Sequence, residues 1–297
     1  MILRYLPFAT ALVLAGLAAP GLAADAPTVS GEFALGESTL APGHVTALRG
    51  RDSKDPRKEG TVVFLTKVAM DQVSLTGQRD AYVLAINDPA LEGQDYLTVS
   101  LSPDGEVSAN ARLGGVQYID GSGTVMRQPG SLKAECPVNS AARVECHVWT
   151  SKPVEVEAGK RWTLDLRFAA PVIARLGGKS LPADGGEPGK ALRAFVEALQ
   201  GDSLEAIFQL MSADRVAQHN ADYNTPEENL ASLKDIWSAR LAGEVRITGG
   251  EQAGEERAFV QAEGELYPGV NMLFEIDMTR RDGRWVVNDG GSVGMLD

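Results

Sequence analysis

The spacing of apolar residues in this chain changes near residue 190 and again near residue 244. From Leu192 through Phe195, Val196 and Leu199 the apolar positions recur every three or four residues, as on one face of a helix. Beyond residue 244 they alternate with polar residues, which is typical of strands with one buried face. The C-terminal segment is therefore predicted to form three amphipathic helices followed by four antiparallel strands.

Capping residues mark the ends of the three predicted helices. The first spans residues 190–200 and ends at Gly201. A capping box starts the second helix at Asp202, and Pro226 suits the first turn of the third. The apolar stripes of the second and third helices are Leu204, Ile207, Phe208 and Met211, and then Leu230, Leu233, Trp237 and Leu241.

The four strands are predicted at residues 244–248, 257–267, 270–280 and 284–288, with turns at Pro268-Gly269 and Asp282-Gly283. Alternation places apolar side chains on one face of the sheet and acidic ones on the other. Like charges directly opposed on a sheet are destabilising, so an acidic face indicates either an ordinary solvated surface or a platform for a basic partner. The candidate partner-binding residues are Glu263, Glu265, Glu275 and Asp277.

The order of helix, tight corner, helix, long helix and curled antiparallel sheet resembles the nuclear-transport-factor-two-like superfamily. This cone fold is shared with ketosteroid isomerase and polyketide cyclases. The resemblance is carried by residues 189–202 and 283–289 and covers about the final third of the chain. Because the superfamily includes enzymes, ligand binders and interaction modules, the fold does not choose among these functions.

The resemblance implies a ligand pocket between the helices and the sheet, with His219, Asp222, Tyr223 and Trp237 at its mouth. A steroid isomerase needs a carboxylate base facing that cavity. The predicted apolar face of the sheet carries no carboxylate, which disfavours isomerase chemistry. Instead of lining a pocket, Trp237 would be a core residue and His219 a surface residue in the alternative interpretation.

The N-terminal half shows the short period of β-structure. Residues 95–101 and 161–168 alternate, residues 61–65 form a continuous apolar run, and about seven or eight such strands are predicted in a sandwich or meander. The overall fold class is therefore predicted to be α+β, a β-rich domain joined to a cone-fold domain. Residues 49–59 form a basic loop, interpreted as a solvated loop or as a site for an acidic group.

Four segments are predicted along the chain. Residues 1–24 have the layout of an export signal, with Arg4 before an apolar run at 9–19 and small residues for cleavage near Ala23 and Ala24. The β-rich domain spans 25–176, a linker rich in glycine and proline spans 177–189, and the C-terminal domain spans 190–297. The predicted location is periplasmic or secreted.

The two cysteines, Cys136 and Cys146, flank a predicted hairpin turn at residues 139–142. A disulfide across this hairpin suits an exported protein, and closing so short a loop would stabilise the fold by roughly 2–3 kcal/mol in the chain-entropy model. A redox pair, or a metal site with His147, is the alternative.

The acidic charge disfavours several functional classes. The chain carries a formal net charge of −12, and removing residues 1–24, whose only charge is Arg4, changes it to −13. Nucleic acids and anionic membranes are therefore unfavourable partners, and no later apolar run is long enough for membrane insertion. No cofactor or metal is predicted, because the chain contains no phosphate loop, dinucleotide fingerprint or zinc-protease spacing.

These observations predict an exported, non-enzymatic module that binds a protein or peptide, in one version a protective, immunity or inhibitor protein acting on a basic partner. The alternative is a carrier or enzyme that holds a small apolar ligand in the C-terminal pocket.

Residues 290–294 match the nucleophile-elbow pattern G-x-S-x-G, but only three residues follow. Since an elbow must lead into a helix, the match is interpreted as chance.

Overall fold

The computed structural model describes residues 26–52, 55–119, 131–155, 159–241, 245–267 and 269–296. The predicted signal peptide lies outside these residues. Within the described parts of the chain, no helix has the length and apolar character needed to cross a membrane.

The first half of the chain is a two-layered β-structure. Its two layers are joined by one long strand, β11, which pairs antiparallel with β1 and β9 along most of its length and parallel with β3 at its last two residues. The strands are β1 (Thr28–Leu35), β2 (Ser38–Leu40), β3 (His44–Arg51), β4 (Glu59–Thr66), β5 (Tyr96–Leu101), β6 (Val107–Leu113), β7 (Val116–Ile119), β8 (Leu132–Asn139), β9 (Arg143–Thr150), β10 (Val154–Glu155) and β11 (Arg161–Ile173).

A shared apolar core holds the two layers together. On β11 every second residue from Trp162 to Phe168 is buried, and these side chains meet residues such as Val63 of β4 and Val99 of β5. Burial of this alternating set removes apolar surface from water and fixes the strand register. We call this unit the sandwich.

Two short helices cover the outer side of one layer. They are α1 (Gln72–Leu75) and α2 (Ala81–Ile86), followed by a 3-10 turn at Pro89–Leu91. Leu75, Ala81 and Ala85 pack against Phe64 of β4. Because β4 is covered on both sides, its sequence is a continuous apolar run rather than an alternating one.

The predicted disulfide is confirmed. Cys136 of β8 and Cys146 of β9 are bonded across the hairpin that joins these strands. The bond lies at the edge of the sandwich core, where Cys146 is buried and Cys136 packs beside it. We therefore interpret this disulfide as a structural crosslink of the hairpin.

In the described part of the second half of the chain, four helices accompany a five-stranded antiparallel sheet in the order β12-β13-β14-β15-β16. Apolar residues of the helices and of one sheet face form a separate core around Phe195, Trp237 and Phe274. The elements are β12 (Lys179–Ser180), α3 (Gly186–Gln200), α4 (Leu204–Phe208), α5 (Ala213–Asp222), α6 (Pro226–Leu241), β13 (Arg246–Ala253), β14 (Arg257–Tyr267), β15 (Val270–Arg281) and β16 (Arg284–Leu296).

The predicted fold class, α+β with a three-helix cone-fold domain, is wrong. Strands make up 48% of the structure and helices 23%, in six short helices and two sheets. The C-terminal sheet curls into a half-barrel, but the four helices beside it do not form the predicted arrangement. The molecule is mostly β-structure.

Two local features explain this error. Helix α5 contains no buried residue, so it carries no apolar stripe that a periodicity argument could detect. Strand β16 continues eight residues beyond the predicted end at Asn288 and passes through Gly290. A side chain at Gly290 would meet Ile276 at 2.7 Å and Trp237 at 3.3 Å, so this glycine allows Trp237 to pack closely on the sheet.

The segment predicted as a linker, residues 177–189, carries structure of its own. Lys179 and Ser180 pair with Gln252 and Glu251 of β13, and α3 begins within the segment at Gly186. The division of the chain into two domains stays a prediction.

Candidate functional site

The acidic face of the C-terminal sheet lies against basic residues of the sandwich. Arg51 ends strand β3 and Arg79 directly precedes Asp80, the N-cap of α2. Arg175 follows the end of β11. These three arginines approach the sheet on the side opposite to helices α3–α6.

Glu275, in the middle of β15, is the centre of this contact. Arg79 donates two hydrogen bonds to it, from Nη1 to Oε1 at 2.6 Å and from Nη2 to Oε2 at 2.8 Å. Arg51 donates a further hydrogen bond from Nη2 to Oε2. A bidentate pair of this kind specifies orientation as well as attraction, so Glu275 locates the sandwich on the sheet.

Two further contacts extend this interface across the sheet. The Arg79 guanidinium lies over the Phe259 ring, 3.5 Å from its centroid, a cation–π arrangement. Arg175 donates a hydrogen bond from Nη1 to Oε1 of Glu251 on β13 at 3.0 Å. We call Arg51, Arg79 and Arg175 with Glu251 and Glu275 the arginine clasp.

Burial and charge act in opposite directions on Glu275. Burial favours the neutral acid and raises its pKa, but the hydrogen bond from Arg79 and the charges of Arg51, Arg79 and Arg175 favour the carboxylate. The result is a pKa of Glu275 below its ordinary value of 4.5. Glu275 is therefore ionised at neutral pH.

A cleft of about 420 Å³ opens beside the clasp, between the sandwich and the C-terminal sheet. Arg49 and Arg51 of β3 line one side, Ser292 and Val293 of β16 line another, and α2 forms the rim. The volume lies within the range of about 300–1,000 Å³ of small-ligand pockets, which occur preferentially where two units meet. The cleft is therefore a candidate binding site.

Helix α2 exposes apolar side chains at this rim. Its buried side holds Ala81 and Ala85, whereas most of its large apolar residues face outwards. The apolar helix surface, as we call it, consists of the following residues with their exposed fractions: Val73 of α1 (85%), Tyr82 (39%), Val83 (52%), Leu84 (44%) and Ile86 (37%). Large apolar side chains exposed on two neighbouring helices are candidates for an interaction site.

The four predicted pocket residues do come together. His219, Asp222, Tyr223 and Trp237 all line one depression of about 170 Å³ between α5 and α6. This depression is smaller than common ligand pockets. It also lies between two helices rather than between helices and sheet, where Phe195, Trp237 and Phe274 fill the space.

The acidic residues predicted as a partner platform are engaged within the chain. Arg79 and Arg51 bind Glu275, as described, and Arg257 pairs with Asp277 through Nε at 3.0 Å and Nη2 at 3.1 Å.

The other two acidic candidates also have internal partners. Glu263 accepts a hydrogen bond from Arg246 and lies 3.9 Å from Arg57. Glu265 is exposed but accepts a bond from the backbone of Gly269. The four carboxylates are therefore not an open platform for a basic partner.

The basic loop at residues 49–59 faces an acidic group of its own chain. This loop was interpreted either as a solvated loop or as a site for an acidic group. In the structure, Arg51 and Arg57 contact the acidic residues Glu275 and Glu263 of the same chain. Sequence reasoning missed Arg79 and Arg175 altogether. Their partners lie 196 and 76 residues away, and no local pattern signals contacts of that separation.

The nucleophile-elbow match has no elbow geometry. Gly290–Gly294 lies within strand β16, where Ser292 pairs with Phe274 of β15. Among the described residues, no group of three histidine, cysteine, aspartate or glutamate side chains is arranged to hold a metal ion.

Comparison of the chain with protein-family models and with curated proteins finds no match. The resemblance of the last third to the nuclear-transport-factor-two-like superfamily therefore stays a prediction.

Proposed function

We propose that this protein is an exported, non-catalytic binding module that docks a protein partner on its apolar helix surface. The observation that carries this proposal is the exposure of Val73, Tyr82, Val83, Leu84 and Ile86 on two adjacent short helices. Leaving such side chains in water is unfavourable, and covering them with an apolar partner contributes roughly 25 cal/mol per Å² of buried surface.

The partner that suits this surface is an apolar segment with an acidic group. Tyr82 and Val83 belong both to the apolar helix surface and to the lining of the arginine-lined cleft. A partner that covers the helices therefore meets positive charge at one edge. This chemistry replaces the basic partner suggested by the sequence, because the acidic sheet face is paired with the chain's own arginines.

Export is supported by two features. The bonded cysteine pair suits an oxidising compartment, and residues 1–24 have the layout of a signal peptide. A protective or inhibitor role towards an envelope protein is one form that such a binding module would take. A binding role needs no catalytic group, and it uses the surfaces described above.

The test is capture from an envelope extract, followed by identification of the captured protein and measurement of its affinity. The double variant Val73→Glu/Leu84→Glu places two carboxylates on the helix surface without touching the cleft. The matched control is Val116→Glu, which alters another exposed valine, 52% exposed, at the start of β7. We expect the double variant to lose the partner and the control to retain it. Equal capture by both would contradict the proposal.

A small-ligand carrier is the second candidate. It is supported by the convergence of His219, Asp222, Tyr223 and Trp237 on one depression between α5 and α6. The volume of about 170 Å³ admits only a ligand of a few heavy atoms, which ranks this function below protein binding. A ligand that raises the melting temperature of the wild-type protein, but not of Tyr223→Ala, would favour it.

A further inference from the structure

We infer that the cleft between the sandwich and the C-terminal sheet binds a carboxylate attached to an apolar group. The inference rests on the proposed function, since this carboxylate would be the acidic group that the partner presents. It concerns the cleft rather than the helix surface, so the two proposals can fail separately.

Guanidinium groups concentrate at the cleft, whose lining includes four arginines and three carboxylates in a protein with a formal net charge of −12. Glu251 and Glu59, outside the lining, pair with Arg175 and Arg49, so the site offers N–H donors rather than an excess of positive charge. A ligand with one negative charge therefore suits it better than a phosphate dianion. The charged lining residues are Arg49, Arg51, Arg79 and Arg175, and Asp52, Asp80 and Glu275.

Arg49 is the arginine with the most donors left for a ligand. Arg51, Arg79 and Arg175 are committed to the clasp. Arg49 donates one hydrogen bond, from Nη1 to Thr61 Oγ1 at 3.2 Å, and its Nε lies 3.8 Å from Glu59. A guanidinium has five N–H donors in a planar fork that matches the two oxygens of a carboxylate.

Three polar atoms of the cleft residues are buried without a hydrogen-bond partner among the described residues. They are Nε of Arg49, Nε of Arg79 and Oδ1 of Asn110. Such atoms are rare in folded proteins and often indicate a water or ligand that completes the site. These three atoms are enclosed by protein and a ligand cannot reach them directly. We therefore expect the Arg49 side chain to turn towards the cleft when a ligand binds. A ligand with both acceptors and an N–H donor would then satisfy Arg49 and Asn110.

Apolar side chains define the rest of the ligand. Val62 and Val293 line the interior of the cleft, and Tyr82 and Val83 line its rim. A carboxylate, an adjacent N–H and an apolar side chain occur together at the C-terminal residue of a peptide. They also occur in a small N-acylated amino acid. The cleft of about 420 Å³ has room for either.

Isothermal titration of the whole mature protein tests this inference with four probes. N-acetyl-leucine and the N-acetylated tripeptide acetyl-alanyl-alanyl-leucine carry the carboxylate as their only charge, N-acetyl-leucinamide lacks it, and inorganic phosphate lacks the apolar group. We expect the two carboxylates to bind and the other two probes not to bind. Tighter binding of the tripeptide than of N-acetyl-leucine would identify a peptide C-terminus as the source, and equal affinity would identify a small organic acid.

Variants of Arg49 test whether this residue binds the ligand carboxylate. Arg49→Gln should weaken carboxylate binding by about tenfold or more, as expected for loss of a charge-assisted hydrogen bond. Arg49→Lys keeps the positive charge but lacks the planar fork of N–H donors. Its affinity for the carboxylate should lie between those of wild type and Arg49→Gln. The matched control is Arg57→Gln, which removes the same charge from the turn between β3 and β4, outside the cleft, and it should bind like wild type.

Melting curves will verify that each variant is folded. Failure of both carboxylates to bind the wild-type protein would overturn the inference, as would equal binding of the amide or an unchanged affinity in Arg49→Gln. If a partner is still captured through the helix surface in any of these cases, the proposed function stands without the cleft.

Discussion

The two faces of the C-terminal sheet are built from alternate residues of the same strands but make opposite kinds of contact. On β15, Phe274 and Ile276 are buried against the helices, whereas Glu275 between them is held by arginines of the sandwich. One face is an apolar core, and the other, which also buries Phe259 and Leu273, carries the charged interface.

The difference lies in how each face stabilises the structure. Apolar contacts are non-directional and contribute in proportion to the area removed from water. Ion pairs that are partly removed from water lose hydration, and they contribute little net stability unless their geometry is good. We therefore infer that the helix-facing side supplies most of the stability, and that the clasp fixes the orientation of the sandwich beside the cleft.

The largest effect is expected on the apolar face. Trp237 is 2% exposed and meets Phe195 edge to face with ring centroids 4.9 Å apart. Trp237→Ala should lower the free energy of unfolding by about 3–5 kcal/mol, because the cavity left in the core cannot close completely. Urea unfolding followed by circular dichroism measures the change. A loss below about 1 kcal/mol would contradict the assignment of stability to this face.

A smaller effect is expected at the clasp. Glu275→Gln keeps the shape of the side chain but leaves Arg51 and Arg79 without their shared carboxylate. The expected loss is about 1.5–3 kcal/mol, the range for hydrogen bonds to charged groups. A double-mutant cycle with Arg79→Gln measures the coupling. Additive losses would mean that the pair contributes no interaction energy of its own.

The clasp should also weaken in acid. Because the folded pKa of Glu275 lies below its ordinary value of 4.5, its contribution is fully present above that pH. The contribution is lost as the pH falls through the lower folded value. Wild type should therefore lose more stability than Glu275→Gln does as the pH is lowered from neutral to below 4.5. Parallel pH profiles of the two proteins would show that Glu275 does not titrate as proposed.

The sequence predicted the apolar face far better than the charged one. The alternation in residues 257–267 and 270–280 corresponds closely to β14 and β15, because a buried face requires every second residue to be apolar. The hairpin disulfide was equally local, with its cysteines ten positions apart. Such features are visible within a short window of sequence.

The clasp and the cleft could not be predicted from a short window of sequence. Glu275 and Asp277 were recognised as an acidic face, but the partner of Glu275 is Arg79, 196 residues earlier in the chain. Arg79 stands before a short helix whose apolar residues face outwards, so neither periodicity nor charge spacing marks it. A charged side chain specifies that a counter-charge is needed but not where in the chain that charge lies.

The smallest effect is expected at the rim of the charged face. Arg57 lies 3.9 Å from Glu263 and pairs with Asp55 at 2.7 Å, and its side chain is 50% exposed. Exposed ion pairs gain little, because water and salt screen them. Arg57→Gln should therefore leave the melting temperature unchanged within error at both low and high salt, whereas Glu275→Gln lowers it in both. If Arg57→Gln destabilised the protein as much as Glu275→Gln does, burial would not separate the two contacts, and the charged face would act as one surface network instead of a clasp centred on Glu275.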